Sequence, residues 1–304
     1  MHSFHNESEF LEHWKFPPLF YSELRDAEKT WASSFSMPPC EALGGLPLEI
    51  FAALTLGVPE SMPFTQRRLP SMAPDQVQQD WTGNSGWPLM AQSLDFIRTM
   101  VQMRAELPGP PIGQCRTLDF GCGWGRLLRL LLKFAPEGNL FGVDPWDKSI
   151  ALCREHGLRC GLAQSDFLPK SLPFPGPFDI VFAYSVFTHL SANAARLALS
   201  TLRASIARTG FLCITIRPVE YWKNHGGEIS RQMEEAHAKS GFAFLPHKLA
   251  PIEGEITYGD TSMSLDALQR LAPGWRISKT CLSLLDPLQR VVVLTPASEC
   301  FPHG

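Results

Sequence analysis

Between residues 115 and 217 the hydrophobic pattern of the chain switches repeatedly between two periods. Short apolar runs of strand length, Cys115–Phe120, Asn139–Val143, Leu158–Ala163, Phe178–Ala183 and Phe211–Arg217, read as strands buried on both faces. Apolar positions at helical spacing mark residues 124–134, 147–156 and 192–207. Strands alternating with helices predict a mostly parallel α/β sheet with right-handed crossovers. Ligands of such sheets bind outside the carboxyl ends of the strands.

The flanks are patterned differently. Residues 1–80 are broken by prolines (Pro17, Pro18, Pro38, Pro39, Pro47, Pro59, Pro63, Pro70 and Pro74), so only Glu23–Ser33 and Leu46–Leu56 keep a helical pattern. Aromatic anchors such as Phe10, Trp14, Trp31, Phe35 and Phe51 are too many for a disordered tail. The segment is expected to be an ordered extension lying on the core, either walling a pocket or forming the interface of a homodimer. Asp80–Pro88 reads as a turn-rich hinge before an amphipathic helix, Leu89–Leu107, which the prolines of 108–111 stop. Residues 81–298 make the core. Within it 218–264, after the fifth strand, is longer than an ordinary connection and is expected to cap the site, with a helix over Ile229–Ser240. A helix over 264–271 and a hairpin, Trp275–Leu285 with Gln289–Thr295, close the chain.

Between the first strand and its helix the chain reads Asp119-Phe-Gly121-Cys122-Gly123-Trp-Gly125-Arg126. Glycine there permits positive φ and lets a ligand reach the backbone without a Cβ in the way. A dinucleotide fingerprint needs a third glycine at 126, where this chain has arginine. An acid at the strand end repels a pyrophosphate, but it suits a ligand carrying an ammonium. The second strand ends in Asp144-Pro145-Trp146, a carboxylate placed to accept from ribose hydroxyls beside a flat ring for a base. Ser165-Asp166-Phe167 closes a third strand with an acid able to accept from an adenine amino group, and Tyr184-Ser185 follows the fourth. In this order and spacing the four segments resemble the class I S-adenosylmethionine-dependent methyltransferases, and more softly their bacterial surface-polysaccharide or secondary-metabolite members. The resemblance spans 116–218, and more weakly 275–296. It implies a Rossmann-like, doubly wound, mostly parallel seven-stranded sheet with one antiparallel strand, and S-adenosyl-L-methionine as cofactor. The segment before the first strand often covers the cofactor in this family, which makes Thr82, Gly83 and Ser85 candidate contacts beside a simpler role in capping a helix.

Composition narrows the partners. The formal net charge of −3 and the lack of a basic stripe argue against a nucleic-acid partner bound through phosphates. The eight cysteines form no C-x-x-C pair and no zinc spacing, so no metal site is expected and a reducing compartment is. No apolar run approaches the roughly 20 residues of a membrane span, and no basic-then-apolar leader opens the chain. A cytoplasmic protein is the expectation.

Methyl transfer from a sulfonium is an in-line displacement, and a hydroxyl acceptor also has to lose its proton. His189, just past the fourth strand, is the first candidate base, with capping of the next helix as its simpler role. Arg217, Glu220 and Tyr221 follow the fifth strand, where Arg217 is placed to bind an anionic group or to pair with Glu220. His225, Tyr258 and Asp260 on the cap are candidate substrate contacts, and Asp179 is expected to hold a strand start. The chain after the fourth strand, Tyr184-Ser-Val-Phe, departs from the Asn-Pro-Pro-Tyr type motif of enzymes that methylate nucleic-acid amino groups. The expected reaction is O-methylation of a small molecule or glycan. N-methylation of an amine or protein side chain, or cofactor binding without turnover, are the alternatives.

Overall fold

The computed structural model describes residues 2–34 and 36–297; Phe35 and Cys300 lie outside them. Its strands in chain order are β1 (Thr117–Phe120), β2 (Leu140–Asp144), β3 (Gly161–Gln164), β4 (Phe178–Ala183), β5 (Ile206–Ile216), β6 (Phe242–Pro246), β7 (Gly259–Met263), β8 (Trp275–Leu282) and β9 (Arg290–Pro296). Seven of them form one sheet in the order β3-β2-β1-β4-β5-β9-β8. β3, β2, β1, β4 and β5 pair in parallel, and β9 lies antiparallel between β5 and β8. This is the doubly wound sheet expected from the sequence, with its antiparallel strand.

Period-two alternation sorts the strand residues onto two faces. Ile180, Phe182, Phe211, Cys213, Val291 and Val293 belong to one buried cluster. Their sequence neighbours Val181, Ala183, Leu212, Ile214, Val292 and Leu294 belong to the other. Burial on both sides makes these strands nearly continuous apolar runs. Asp179 accepts from the Arg116 backbone N–H at 2.9 Å and so holds the start of β4, as its position suggested. β5 departs from expectation by beginning at Ile206, straight from the helix Ala192–Ser205.

The first cluster runs without a break into the N-terminal segment through Phe10, Trp31, Phe51 and Ile97. Helices Glu7–His13, Tyr21–Ser33, Leu48–Leu56 and Gly86–Glu106 supply these residues. The segment also forms Pro39–Ala42, Pro63–Arg68 and Asp75–Thr82, helices that the proline count had argued against. Proline lies at the first turn or the N-cap of each, where its missing N–H is no loss. Glu28 replaces the absent cap of Pro63–Arg68 by accepting from the Phe64 and Thr65 N–H groups at 2.7 and 3.0 Å. The expected hinge of 80–88 contracts to the turn 83–85 between two helices.

Beyond β5 the chain forms a 3-10 turn, Val219–Asn224, a helix, Gly227–Ser240, and the separate hairpin β6–β7. Main-chain bonds tie this insertion to the loop after β4: Thr261 N–H to Thr188 O (2.9 Å), Gly259 N–H to His189 O (2.8 Å) and Ser191 N–H to Thr257 O (2.9 Å). The Glu255 carboxylate adds Asn193 Nδ2 at 2.8 Å. The insertion is a fixed wall.

Trp31 tests whether the N-terminal helices fold with the sheet. Its ring is fully buried and its Nε1 donates to Met37 O at 3.0 Å. Trp31→Ala is expected to cost about 3–5 kcal/mol. In urea, helix signal and sheet-core fluorescence should be lost together in one earlier transition. A separate early transition that leaves the sheet intact would mean an independent unit.

Candidate functional site

The carboxyl ends of β1 and β2 are tied to each other through the glycine loop. Gly121 and Cys122 both donate to Val143 O, at 2.8 and 3.0 Å. Gly121, Gly123 and Gly125 all have positive φ, at 77°, 52° and 77°. At Gly121 a Cβ would meet Val186 at 2.5 Å, and at Gly125 it would meet Arg129 and Leu158 at 2.8 Å. Gly123 has only the Trp81 ring at 4.0 Å, so its face is left open to the cleft.

Asp144, at the tip of β2, holds this loop. Its Oδ2 accepts from Gly123 N–H at 2.9 Å, and its Oδ1 from Trp146 N–H at 3.0 Å and Ser149 Oγ at 2.8 Å. A carboxylate oxygen accepts about two hydrogen bonds, so Oδ2 keeps one place for a ligand hydroxyl. Burial raises its pKa and these three donors work against that. The side chain of Asp119, at the tip of β1, has no hydrogen bond to a described residue, and burial pushes its pKa well above the usual carboxylate range, with Arg126 opposing. A cation delivered to it would recover that penalty.

The cleft has two lobes that share Trp81, Gly121, Gly123, Tyr184, Ser185 and Tyr258 as walls. The apolar lobe, about 510 Å³, is walled by Phe120, Asp144, Pro145, Trp146, Ser165, Asp166 and Phe167. Trp146 meets Trp81 edge-on at 5.9 Å and Tyr258 at 6.0 Å, so flat faces from three separate segments converge. The polar lobe, about 440 Å³, holds Asp119, Cys122, Arg126, Asp286 and Gln289. Arg126 Nη1 and Gln289 Oε1 are buried there with no partner, a donor and an acceptor facing the same space. The Arg126 guanidinium lies 5.1 Å over the Tyr184 ring, and Tyr184 OH donates to Asp286 at 2.8 Å.

Behind Arg217, His189 and His247, which line the lobes, the cap supplies a carboxylate hub, Asp260, which lines neither and so is not the direct contact expected of it. Asp260 Oδ1 accepts from Arg217 Nη1 at 2.6 Å and Tyr221 OH at 2.8 Å, and Oδ2 from His247 Nε2 at 3.2 Å. His225 Nε2 stands 3.8 Å away. Arg217 also donates to Thr188 O at 2.9 Å and lies 4.0 Å over the Tyr221 ring. His189 Nδ1 donates to Gly259 O at 2.8 Å, so its Nε2 is left to accept from Arg217 Nη2 at 3.2 Å. Burial first, and the Arg217 charge second, lower its pKa to about 4. His189 is therefore neutral with its lone pair taken, stacked at 5.0 Å on Tyr258, and the geometry speaks against a general base there.

Most of the expected contacts converge on the cleft. Thr82 reaches the polar lobe, whereas Gly83 caps a helix in the left-handed conformation and Ser85 begins the next, and neither lines a lobe. Their neighbour Trp81 takes the expected place. Arg217 pairs with Asp260 instead of Glu220, which lines a different cavity with His237 and Arg290. Tyr221 and His225 line neither lobe: Tyr221 lies behind Arg217 and Asp260, and His225 stands beside Asp260. Arg126, Asp286, Gln289 and His247 had no reading from the sequence as contributors. For Arg126 a signal existed: a cation one residue past a glycine loop that begins with an acid.

Among the described residues no group of three or more His, Cys, Asp or Glu is suited to hold a metal, and no helix is long and apolar enough to cross a membrane. Residues 117–210 match the family model described as methyltransferase domain. Over 127 residues the chain is 29% identical to mycinamicin VI 2''-O-methyltransferase of Micromonospora griseorubida, covering 39% of this chain and 31% of that one. It is 33% identical over 110 residues to an uncharacterized methyltransferase of Schizosaccharomyces pombe, covering 32% and 38%. The match thus spans well under half the length of either relative. An S-adenosylmethionine-dependent methyltransferase from Clostridium acetobutylicum superposes with a TM-score of 0.46 at 12% identity, over 67% of this chain and 90% of that one.

The state of His189 has a measurable consequence. A histidine at about 4 when folded and 6.5 when unfolded binds its proton more readily unfolded, so stability falls as pH drops from 6.5 towards 4. The contribution is about 3 kcal/mol. Urea unfolding of His189→Asn across that window should show a pH dependence shallower by this amount; an unchanged dependence would refute the assignment.

Proposed function

We propose that this methyltransferase domain, of the class I S-adenosylmethionine-dependent kind, is the catalytic core of an enzyme that methylates a hydroxyl of a small molecule or glycan. The observation that carries the reading is the pairing in one lobe of a buried, unbonded carboxylate, Asp119, with a buried guanidinium, Arg126, that has an unpartnered N–H. A zwitterionic amino-acid end satisfies both, with its ammonium on Asp119 and its carboxylate on Arg126 and the neighbouring loop. The open place on Asp144 Oδ2 fits a ribose hydroxyl, and the lobe of Trp146, Phe167 and Asp166 fits an adenine. The residues present therefore suit S-adenosyl-L-methionine, with S-adenosyl-L-homocysteine as product.

When bound, this cofactor supplies an electrophilic methyl on a sulfonium. The protein's share is placement. Gly123 leaves the backbone open, Asp144 locks the loop, and the rings of Trp81, Trp146 and Tyr258 offer flat walls for a base. Orientation of this kind is worth on the order of 7–11 kcal/mol at best. Arg217, with three of its five N–H donors committed to Thr188, Asp260 and His189, keeps two to orient an acceptor oxygen. O-methylation is in keeping with the name of the Micromonospora relative. Methylation of an amine is a second reading, favoured by the hydrogen-bonded, neutral His189: an amine lone pair attacks before its proton has to leave.

Methyl transfer from labelled S-adenosylmethionine into fractionated cell extract tests the reading, with label expected among sugars or small metabolites. Label in protein or nucleic acid would overturn the acceptor class, and intact cofactor binding without transfer would favour a binding subunit. Asp144→Ala and Arg126→Leu each remove charge-assisted bonds, so calorimetry should show cofactor affinity about 10- to 100-fold weaker. Unchanged affinity in a folded variant would remove that contact from the proposal.

A further inference from the structure

Three described non-glycine residues have positive φ: Lys15, Ser185 and Glu253. Lys15 and Glu253 are exposed, but Ser185, at φ 59°, is packed at the junction of the two lobes and lines both. An L side chain holds this conformation only where its surroundings impose it. The surroundings can be named. Ser185 N–H donates to Thr215 Oγ1 at 2.7 Å, and Ser185 Oγ meets Thr188 Oγ1 at 3.3 Å. The next residue, Val186, fills the space that Gly121 vacates by having no Cβ.

Thr215 is the one polar side chain in the buried stretch 210–216 of its strand. It lies between Ile214 and Ile216 on β5 and is itself fully buried. A hydroxyl at such a position is unfavourable unless it is bonded, and valine would have the same shape. Its bond is to an amide of the neighbouring strand's terminal loop and secures nothing of the sheet ladder. That loop carries several contacts of the site's cap side: Thr188 O receives Arg217 and Thr261, and His189 stacks on Tyr258. A rotation at Ser185 moves the wall common to both lobes.

We propose that Thr215 is a positioning residue, which fixes Ser185 in the left-handed conformation and thereby sets the junction where cofactor and acceptor meet. The proposal rests on the reading of the cleft as an S-adenosylmethionine site. Thr215 touches neither lobe and acts through Ser185 alone.

The test is a cycle of Thr215→Val, Ser185→Gly and the double variant, with Thr215→Ser as the conservative control. S-adenosylmethionine affinity is measured by calorimetry well below each melting temperature. Thr215→Val leaves the Ser185 amide without its acceptor and is expected to weaken affinity about 10-fold. Thr215→Ser keeps the oxygen and should stay within about 2-fold, by the same accounting. Glycine adopts positive φ without strain, so Ser185→Gly should restore most of the affinity in the Thr215→Val background. A stability role alone would lower the melting temperature without moving the affinity of the folded protein. A folded Thr215→Val with wild-type affinity, or a loss that Ser185→Gly does not rescue, overturns the proposal. If Thr215→Val does not fold, a folded double variant that binds cofactor supports it, and failure of both overturns it. Absence of cofactor binding by the unmodified protein would instead sink the functional reading on which the proposal stands.

Discussion

The hydrogen bond from Gly123 N–H to Asp144 Oδ2 joins the ends of two adjacent strands, and the cleft depends on it. The glycine loop alone has too much freedom to hold an opening of defined shape. With its middle amide fixed on a carboxylate that also receives Trp146 N–H and Ser149, the loop and the tip of β2 become one rigid edge. Trp146 then stands where it meets Trp81 and Tyr258. One acidic side chain thereby sets backbone, ring and ligand-facing oxygen together, and its buried charge is supported by three donors.

A second carboxylate organises the opposite wall. Asp260 is contributed by the cap, far along the chain from the sheet residues it holds. Through Arg217 it reaches His189, and through Tyr221 and His247 it draws in two further segments. The two hubs differ in kind. Asp144 is bound mostly by backbone amides, which are fixed once the strands pair. Asp260 is bound by side chains, so its geometry depends on the insertion being attached to the loop after β4.

Much of the sheet was legible because its signal is local. Three glycines at alternate positions, an acid at each strand end and apolar runs of strand length place β1, β2 and the glycine loop without reference to the rest of the chain. The N-terminal helices were read too sparingly because prolines were counted as breakers at positions where they start helices, as at Pro39 and Pro63. The acceptor side resisted reading for a different reason. Arg217 and Glu220 are close in sequence and an obvious pair, yet Arg217 binds an acid 43 residues further on. Nor could residue type alone show that His189 points its lone pair at a guanidinium, which decides its chemistry. The polar lobe draws Asp286 and Gln289 from the β8–β9 loop, where no local pattern marks them.

The strand order carries a consequence for synthesis. β9 is last among the strands in sequence but sits inside the sheet, between β5 and β8. Until residues 290–296 have been made, the stretch Leu212–Ile216 of β5, apolar but for Thr215, is an open edge with unpaired N–H and C=O groups. Exposed edges of this composition pair readily with other chains. A chain ended before residue 290 already contains the whole glycine loop, Asp144 and Ser185, yet leaves that edge uncovered. The stretch Arg290–Pro296 lines neither lobe of the cleft and closes that edge by pairing with Leu212–Ile216.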